Sequence, residues 1–148
     1  MTSDIPLPEP VFEFDNEADV RPGGAQEPWR VLLVDDDEDV RILMGRMLKK
    51  AGILQVNPVS GGEEALESLR SGVIPDLIIL DQNMPGMTGV QLMARVRARY
   101  PDLPILFSSG QPDIESWEIL KQPAVRVISK PFTMEEIQAK LAEISLKP

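Results

Sequence analysis

The sequence predicts an α/β protein in which five parallel strands form one doubly wound sheet with helices on both faces. Short apolar runs rich in branched residues alternate five times with segments of helical period. The runs are nearly continuously apolar, which is typical of parallel strands buried on both faces. Each crossover between parallel strands must cover a face of the sheet, and ligands bind beyond the carboxyl ends of the strands. Functional residues are therefore expected at that edge.

The five apolar runs are each too short for a helix, and each predicts a strand. They cover residues 31–34, 53–59, 77–80, 105–107 and 125–128.

Helix boundaries are marked by capping and breaking residues. A glycine after a periodic segment is a common stop, and Ser or Thr followed three residues later by Glu forms a capping box. The first helix is expected to stop at Gly52, and the second is expected to run from a capping box of Ser60 and Glu63 to Gly72. The third is expected to begin at Thr88 or Gly89, and a short fourth helix should cover 113–121. The last helix is expected to begin from a capping box of Thr133 and Glu136.

The length of 148 residues fits one ordinary domain, with a different composition at its amino-terminal end. Residues 1–28 contain seven acidic residues, one arginine and several prolines, which predicts a disordered extension before a folded domain at 29–148. The small apolar cluster of Val11, Phe12 and Phe14 is interpreted as part of this solvated tail, with a short docking motif as the alternative.

Composition excludes several kinds of chemistry. The chain has no histidine and no cysteine, so histidine-dependent nucleophiles, histidine metal sites and disulfides are excluded. The net charge of −9 disfavours nucleic-acid binding. Arg95, Arg97 and Arg99 alternate by two on a predicted helix, which favours a solvated face over a basic patch. No run is long enough to span a membrane and no secretory signal is evident, so a cytoplasmic address is expected.

Charged or hydroxyl side chains follow four of the five predicted strands. Asp35, Asp36 and Asp37 follow the first, Asp81 ends the third, Ser108 and Ser109 follow the fourth, and Lys130 follows the fifth. Taken alone, an acidic run at a helix start complements the helix dipole and needs no ligand. Crowded carboxylates repel one another, however, and oxygen-only ligands beside a lysine favour Mg²⁺ together with a phosphoryl group.

Four stretches together carry a resemblance to a known family. The segments VLLVDDDEDVR, PDLIILDQNMPGMTG, PILFSSG and VISKPF resemble the signature segments of response-regulator receiver domains, in the correct order, over about residues 29–147. The resemblance implies the flavodoxin-like, CheY-like strand order 2-1-3-4-5. It also implies a two-component signalling protein of single-domain type that accepts a phosphoryl group from a histidine kinase, hybrid kinases included, or from a histidine phosphotransfer protein. A monomer or a phosphorylation-dependent dimer would then signal to an unknown downstream protein.

The resemblance also implies roles for individual residues. Asp81 would be the phosphoacceptor. Mg²⁺ would be held by Asp36, Asp81 and the main-chain carbonyl of Asn83, with Asp35 acting through a water, while Lys130, Ser109 and Gly110 would stabilise the phosphoryl group. Asp37 has no such role and is interpreted as a helix N-terminal residue.

The sequence departs from the family pattern at the expected read-out position. Receiver domains commonly have an aromatic residue three positions before the lysine, where this chain has Val127. Trp117 is interpreted as an anchor of the short fourth helix to the sheet, with a read-out contact to a partner as the alternative. Because Pro112 and Pro123 bracket that helix, we expect output to run through its ordering.

Three other functions are alternatives to this one. A Mg²⁺-dependent phosphatase of the haloacid dehalogenase type needs an acid two residues after its nucleophile, where this chain has Asn83, whose amide cannot shuttle a proton. A pseudo-receiver that binds partners without phosphorylation usually lacks an acid or the lysine, and this chain has both. A DNA-binding regulator needs an effector domain, for which the expected last helix leaves no room.

Overall fold

The computed structural model describes residues 29–110, 121 and 124–145. Within them, strands and helices alternate from the first element to the seventh, as the sequence predicts. The elements are β1 (Arg30–Val34), α1 (Glu38–Lys50), β2 (Gln55–Val59), α2 (Gly62–Arg70), β3 (Leu77–Asp81), α3 (Gly89–Arg99), β4 (Ile105–Ser109), β5 (Val125–Ser129) and α4 (Met134–Ser145). The predicted fourth helix and Trp117 lie outside the described residues, apart from Lys121.

All strand pairs in the sheet are parallel, and the strand order is β2-β1-β3-β4-β5, which confirms the predicted fold class and order. The order reverses between β1 and β3, so this is where the crevice for a ligand is expected. Val34 pairs with Leu80, and Asp81 pairs with Ser108. This register brings the carboxyl ends of the central strands to the same level of one edge.

The sheet separates two apolar layers, because successive strand residues point to opposite faces. One layer packs Leu32, Ile78 and Phe107 with residues of α2 and α3, and the other includes Trp29 and residues of α1 and α4. β3 is buried along its whole length. Burying each of its large apolar side chains stabilises the fold by about 1.5–3 kcal/mol. The central strands are therefore a rigid support for residues at their ends.

The predicted capping box of Ser60 and Glu63 is wrong. α2 begins one residue later, after Gly61, whose side chain cannot cap the helix. Glu64 is consequently the third helical residue, and its Oε1 accepts hydrogen bonds from the Ser60 amide at 2.6 Å and hydroxyl at 2.8 Å. These hydrogen bonds lower the pKa of Glu64. Glu64 therefore makes the backward contact of a capping box, but it makes this contact with Ser60, the residue before the N-cap Gly61.

The predicted starts of α3 and α4 are confirmed. The Thr88 hydroxyl accepts from the Gln91 amide, and the Gln91 side chain accepts from the Thr88 amide, which completes a capping box for α3. Thr133 and Glu136 exchange the same two bonds before α4. Both reciprocal pairs satisfy backbone N–H groups that a helix leaves without internal partners.

The apolar stripe of α1 is narrower than its sequence suggests. Met44 and Leu48 are buried against the sheet, whereas Leu43, which shares their helical period, is 59% exposed. The sheet lies against one side of the helix only, so a residue adjacent in sequence to Met44 is turned away from it.

Among the described residues, no helix has the length and apolarity that crossing a lipid bilayer requires.

Candidate functional site

Asp35 occupies a fixed position where β1 turns into α1. Its amide donates to the Val59 carbonyl at 3.2 Å, which extends the pairing with β2 by one residue. Its carbonyl accepts from the Arg41 guanidinium at 2.6 Å, and its carboxylate accepts from the Asp37 amide at 2.9 Å. The turn buries Asp35 and leaves Asp36 exposed. One buried and one exposed carboxylate thus face the strand ends.

Asp37 is the N-cap of α1, as the sequence predicts. Its carboxylate accepts from the amides of Asp39 at 2.9 Å and Val40 at 3.4 Å. Such a cap stabilises a helix by about 1 kcal/mol. The carboxylate of Asp37, the third acid of the run, therefore caps the first turn of α1.

Asp81 is the last residue of β3 and is only 5% exposed. The following residue, Gln82, holds the start of α3: its main-chain carbonyl accepts from the Gly89 amide at 3.0 Å, and its side chain accepts from the Val90 amide at 2.9 Å. A Cβ on Gly89 would lie 2.5 Å from the Asp81 carbonyl oxygen. Glycine at this position lets α3 approach the strand end closely.

Lys130 completes the group of charged side chains. Its ammonium lies 2.8 Å from Asp81 Oδ1 and 3.3 Å from Asp35 Oδ2. Its amide donates to the Ser109 carbonyl at 2.8 Å, which fixes the lysine backbone beside the end of β4. The Lys130–Pro131 peptide bond is cis. The lysine side chain therefore reaches across the strand ends and contacts two of the three aspartates.

Burial and charge act on this group in opposite directions. Burial raises the pKa of Asp81; the Lys130 ammonium opposes this change, and the neighbouring Asp35 and Asp36 carboxylates reinforce it. Burial alone would lower the pKa of Lys130, but its hydrogen bond to Asp81 and the charges of Asp81 and Asp35 raise it overall. One ammonium thus faces three carboxyl groups, and the site has an excess of negative charge.

The aspartates fit a divalent metal ion. One carboxylate oxygen from each of Asp35, Asp36 and Asp81 lies within 4.8 Å of the other two. Hard oxygen ligands with one exposed member suit Mg²⁺, which retains several waters and binds phosphate oxygens. A bound cation would offset the excess negative charge that Lys130 leaves.

Three of the other predicted site residues stand at or just after the ends of β3 and β4. Ser109 is fully buried at the end of β4, Gly110 follows it and is exposed, and Asn83 is exposed two residues after Asp81. The use of the Asn83 carbonyl as a ligand stays a prediction. Val127 is partly buried in β5 and packs on the layer beneath α2 and α3. Trp117 cannot be compared, because it lies outside the described residues.

Two residues of the site were missed from the sequence. Arg41, on α1, donates to the Asp35 carbonyl, and Gln82 holds the first turn of α3. Arg41 lies six residues from Asp35, and the sequence distinguishes it in no way from an ordinary surface residue of a helix. Gln82 contacts Val90, eight residues later, and no local pattern in the sequence indicates that contact.

Comparison with known proteins shows the class that this fold and site define. A profile of the response regulator receiver domain matches residues 31–142. The chain belongs to the receiver domain family of two-component response regulators. Receiver domains take phosphoryl groups from histidine kinases or phosphotransfer proteins and bind Mg²⁺ at an acidic cluster.

Individual relatives differ in their overall length. The chemotaxis protein CheY of Pseudomonas aeruginosa is 32% identical over 118 residues, which cover 78% of this chain and 94% of that protein. The DNA-binding transcriptional regulator NtrC of Escherichia coli K12 is 34% identical over 110 residues, which cover 74% of this chain. The chain spans only 23% of the length of NtrC.

Solved structures agree with the fold. A response regulator from Chloroflexus aurantiacus has a TM-score of 0.72 and 31% identity, covering 81% of this chain and 99% of that one. The response regulator TrrA from Thermotoga maritima, in complex with Mg²⁺ and a beryllium fluoride, has a TM-score of 0.70 and 28% identity, covering 78% and 98%.

Proposed function

We propose that this chain is a phosphorylation switch in which Asp81 accepts a phosphoryl group in a Mg²⁺-dependent reaction. The observation that carries the proposal is the convergence of Asp35, Asp36 and Asp81 with the Lys130 ammonium at one edge of the sheet. These groups come from three separate strand ends. A cluster of acids that only capped a helix would not require the lysine from β5.

The proposed roles follow from burial and contact. Asp81 is the acceptor, and its carboxylate, that of Asp36 and the Asn83 main-chain carbonyl hold Mg²⁺, with Asp35 acting through a metal-bound water. When bound, the ion neutralises charge on the transferring phosphoryl oxygens. The exposed position of Asp36 leaves room for waters around the ion.

The transfer step uses the Asp81 carboxylate as the nucleophile. One of its oxygens forms a bond to phosphorus, and the bond from phosphorus to the nitrogen of a donor phosphohistidine breaks. Lys130 already contacts Asp81 and moves to an oxygen of the phosphoryl group, to which Ser109 and the Gly110 amide also donate. Water later hydrolyses the acyl phosphate, which restores the carboxylate and releases inorganic phosphate.

The donor in this proposal is a histidine kinase, hybrid kinases included, or a histidine phosphotransfer protein. The output is a protein–protein contact made by a chain that acts as a single-domain regulator, as a monomer or a phosphorylation-dependent dimer. The matched segment covers 94% of CheY and 23% of NtrC, so relatives of both kinds share this domain. A cytoplasmic address and the domain boundary at residue 29 stay predictions, and so does output through the predicted helix at 113–121.

Intact mass spectrometry tests the acceptor. Wild-type protein incubated with Mg²⁺ and a small-molecule phosphodonor should gain the mass of one phosphoryl group, and the adduct should be lost in hydroxylamine. Asp81→Asn should gain none. Asp37→Asn is the matched control, since asparagine also caps a helix, and it should be phosphorylated like wild type. Absence of an adduct on the folded wild-type protein would favour a non-phosphorylated pseudo-receiver instead.

A further inference from the structure

A groove between α2 and α3 has a lining that the phosphorylation site does not explain. It has a volume of about 350 Å³ and lies at the carboxyl ends of both helices. The lining combines arginines with apolar side chains and contains no acidic residue: Leu66, Leu69, Arg70, Gly72, Arg95, Val96, Arg99 and Tyr100. A positively charged groove is unusual in a chain whose net charge is −9.

The arginines of this groove come from two helices. Arg95 and Arg99 lie four residues apart on α3 and share one face, and Arg70 joins them from the end of α2. Arg97 turns away and donates to the Leu103 carbonyl at 2.6 Å and the Tyr100 carbonyl at 3.1 Å. Arg95 and Arg99 are exposed, as the expected solvated face requires, and α2 adds Arg70 as the third member of a basic cluster.

Most of this positive charge is not neutralised within the described part of the chain. There, neither Arg95 nor Arg99 has a carboxylate partner, and Arg99 instead lies 5.9 Å from the centre of the Tyr100 ring. Arg70 contacts Glu67 at 3.2 Å, but both side chains are more than half exposed, so the pair contributes little. The groove thus offers guanidinium groups and an aromatic ring to an acidic ligand.

We propose that residues 9–19 of this same chain bind in the groove. The stretch EPVFEFDNEAD contains five acidic residues, no basic residue and two phenylalanines. Carboxylates pair with arginine through charge-assisted hydrogen bonds, and a phenyl ring packs on apolar side chains or on a guanidinium plane. Acidic and aromatic residues in one stretch match the arginine and apolar lining of one groove. This inference does not depend on the proposed phosphorylation.

The chain length between the stretch and the fold allows this contact. Trp29 is buried at the start of β1, and the groove lies at the same edge of the sheet, because α2 and α3 end where the strands begin. The ten residues from 19 to 29 can extend to about 33 Å, close to the diameter of roughly 35 Å expected for a domain of this size. A tether of this length gives an effective concentration in the millimolar range. Weak pairwise contacts would therefore suffice.

Paramagnetic relaxation enhancement measured on the full-length protein tests the proposal. The chain has no native cysteine, so Ala18→Cys carries a nitroxide at one position. Amide signals of the groove segments at 66–72 and 95–100 should broaden at low salt. The broadening should decline at 1 M salt, where the Debye length falls to about 3 Å.

Charge reversal identifies the partner residues. Arg95→Glu with Arg99→Glu should abolish the broadening, and adding Glu13→Lys with Asp15→Lys should restore it. Arg46→Glu with Lys49→Glu makes the same charge change on α1 and should leave the broadening intact. Glu13→Lys with Asp15→Lys alone should also abolish it, in a variant that is wild type throughout residues 29–148.

Three results would overturn the proposal: no selective broadening of the groove amides in the wild-type protein, full broadening in the Arg95 and Arg99 variant, or broadening transferred to unlabelled protein in a mixed sample. The last result would assign the ligand to a second copy.

Discussion

At the scale of single residues, the burial of Asp81 opposes the negative charge of its carboxylate. Its pKa is raised by burial in the folded chain, so above the ordinary value of 3.8 the folded state binds more protons than the unfolded state. Stability without metal should therefore fall as the pH rises through the interval between 3.8 and the raised pKa. Asp81→Asn removes this penalty and should stabilise the metal-free protein at pH 7 by about 1 kcal/mol.

Urea unfolding with a chelator, at pH 7 and at pH 4, measures this effect. The gain from Asp81→Asn should shrink at the lower pH. Asp39→Asn, at an exposed position in α1, should show no gain. A less stable Asp81→Asn protein at pH 7 would mean that the carboxylate is favourable in the metal-free fold.

Lys130 has the opposite effect on stability at the same site. Its pKa is raised above the ordinary value of 10.5, so its stabilising contribution is complete at neutral pH and is lost only as the pH rises through the raised pKa. Lys130→Met leaves the Asp35 and Asp81 carboxylates without their ammonium partner and should cost about 2 kcal/mol in metal-free protein. Denaturant titration at pH 7 measures the cost.

A double-mutant cycle separates the lysine's pairing from its packing. Adding Asp81→Asn to Lys130→Met should recover part of the lost stability, because fewer buried charges remain unpaired. Lys140→Met, which breaks a more exposed contact with Glu143, should change stability little. Strictly additive effects at positions 81 and 130 would contradict their coupling.

At the scale of helices and strands, α3 is attached to the phosphoacceptor strand through Gln82. Its side chain accepts from the Val90 amide, which is one of the N–H groups that the helix itself leaves unpaired. Gln82→Met keeps the length of the side chain and removes the acceptor, and it should cost about 1 kcal/mol. Hydrogen exchange at the Val90 amide should become faster.

Gln138→Met, at an exposed position of α4, is the matched control and should leave both stability and Val90 exchange unchanged. Unchanged exchange at Val90 in Gln82→Met would mean that the capping box of Thr88 and Gln91 alone holds the helix start.

Local sequence signals predicted the elements better than their contacts with one another. The capping box at Thr88 depends on two residues three apart, so the sequence shows it directly. The start of α2 is misplaced by one residue because Ser60 and Glu63 have the three-residue spacing of a capping box, whereas the observed contact joins Ser60 to Glu64, four residues away. The basic groove could not be predicted, because Arg70 joins the α3 arginines only when the two helices pack together.

The candidate site was predicted for a different reason. Parallel strands place their carboxyl ends at one edge, so Asp35, Asp36, Asp81 and Lys130 were expected together from topology alone. The contact of Arg41 with the Asp35 carbonyl was not expected, because it depends on how the first turn of α1 folds back on the strand end.

At the scale of the whole molecule, the site couples metal binding to the stability of the fold. Asp35 and Asp36 follow β1 and Asp81 ends β3, so the three carboxylates come together only when the sheet forms. Mg²⁺ at ten times its dissociation constant should therefore stabilise the protein by about 1.4 kcal/mol, which raises Tm by several degrees in a domain of this size. Thermal unfolding with Mg²⁺, compared with Na⁺ at equal ionic strength, measures this shift.

Asp36→Asn should remove most of the Mg²⁺ shift, because it replaces an exposed charged ligand without disturbing the buried Asp35. Asp37→Asn, one residue further along, should keep the shift, because Asp37 caps α1 and does not face the other carboxylates. An equal shift in both variants would mean that the ion stabilises the chain by general screening of its negative charge. A shift that depends on Asp36 alone would locate the effect at the strand ends, where the topology brings the two central strands together.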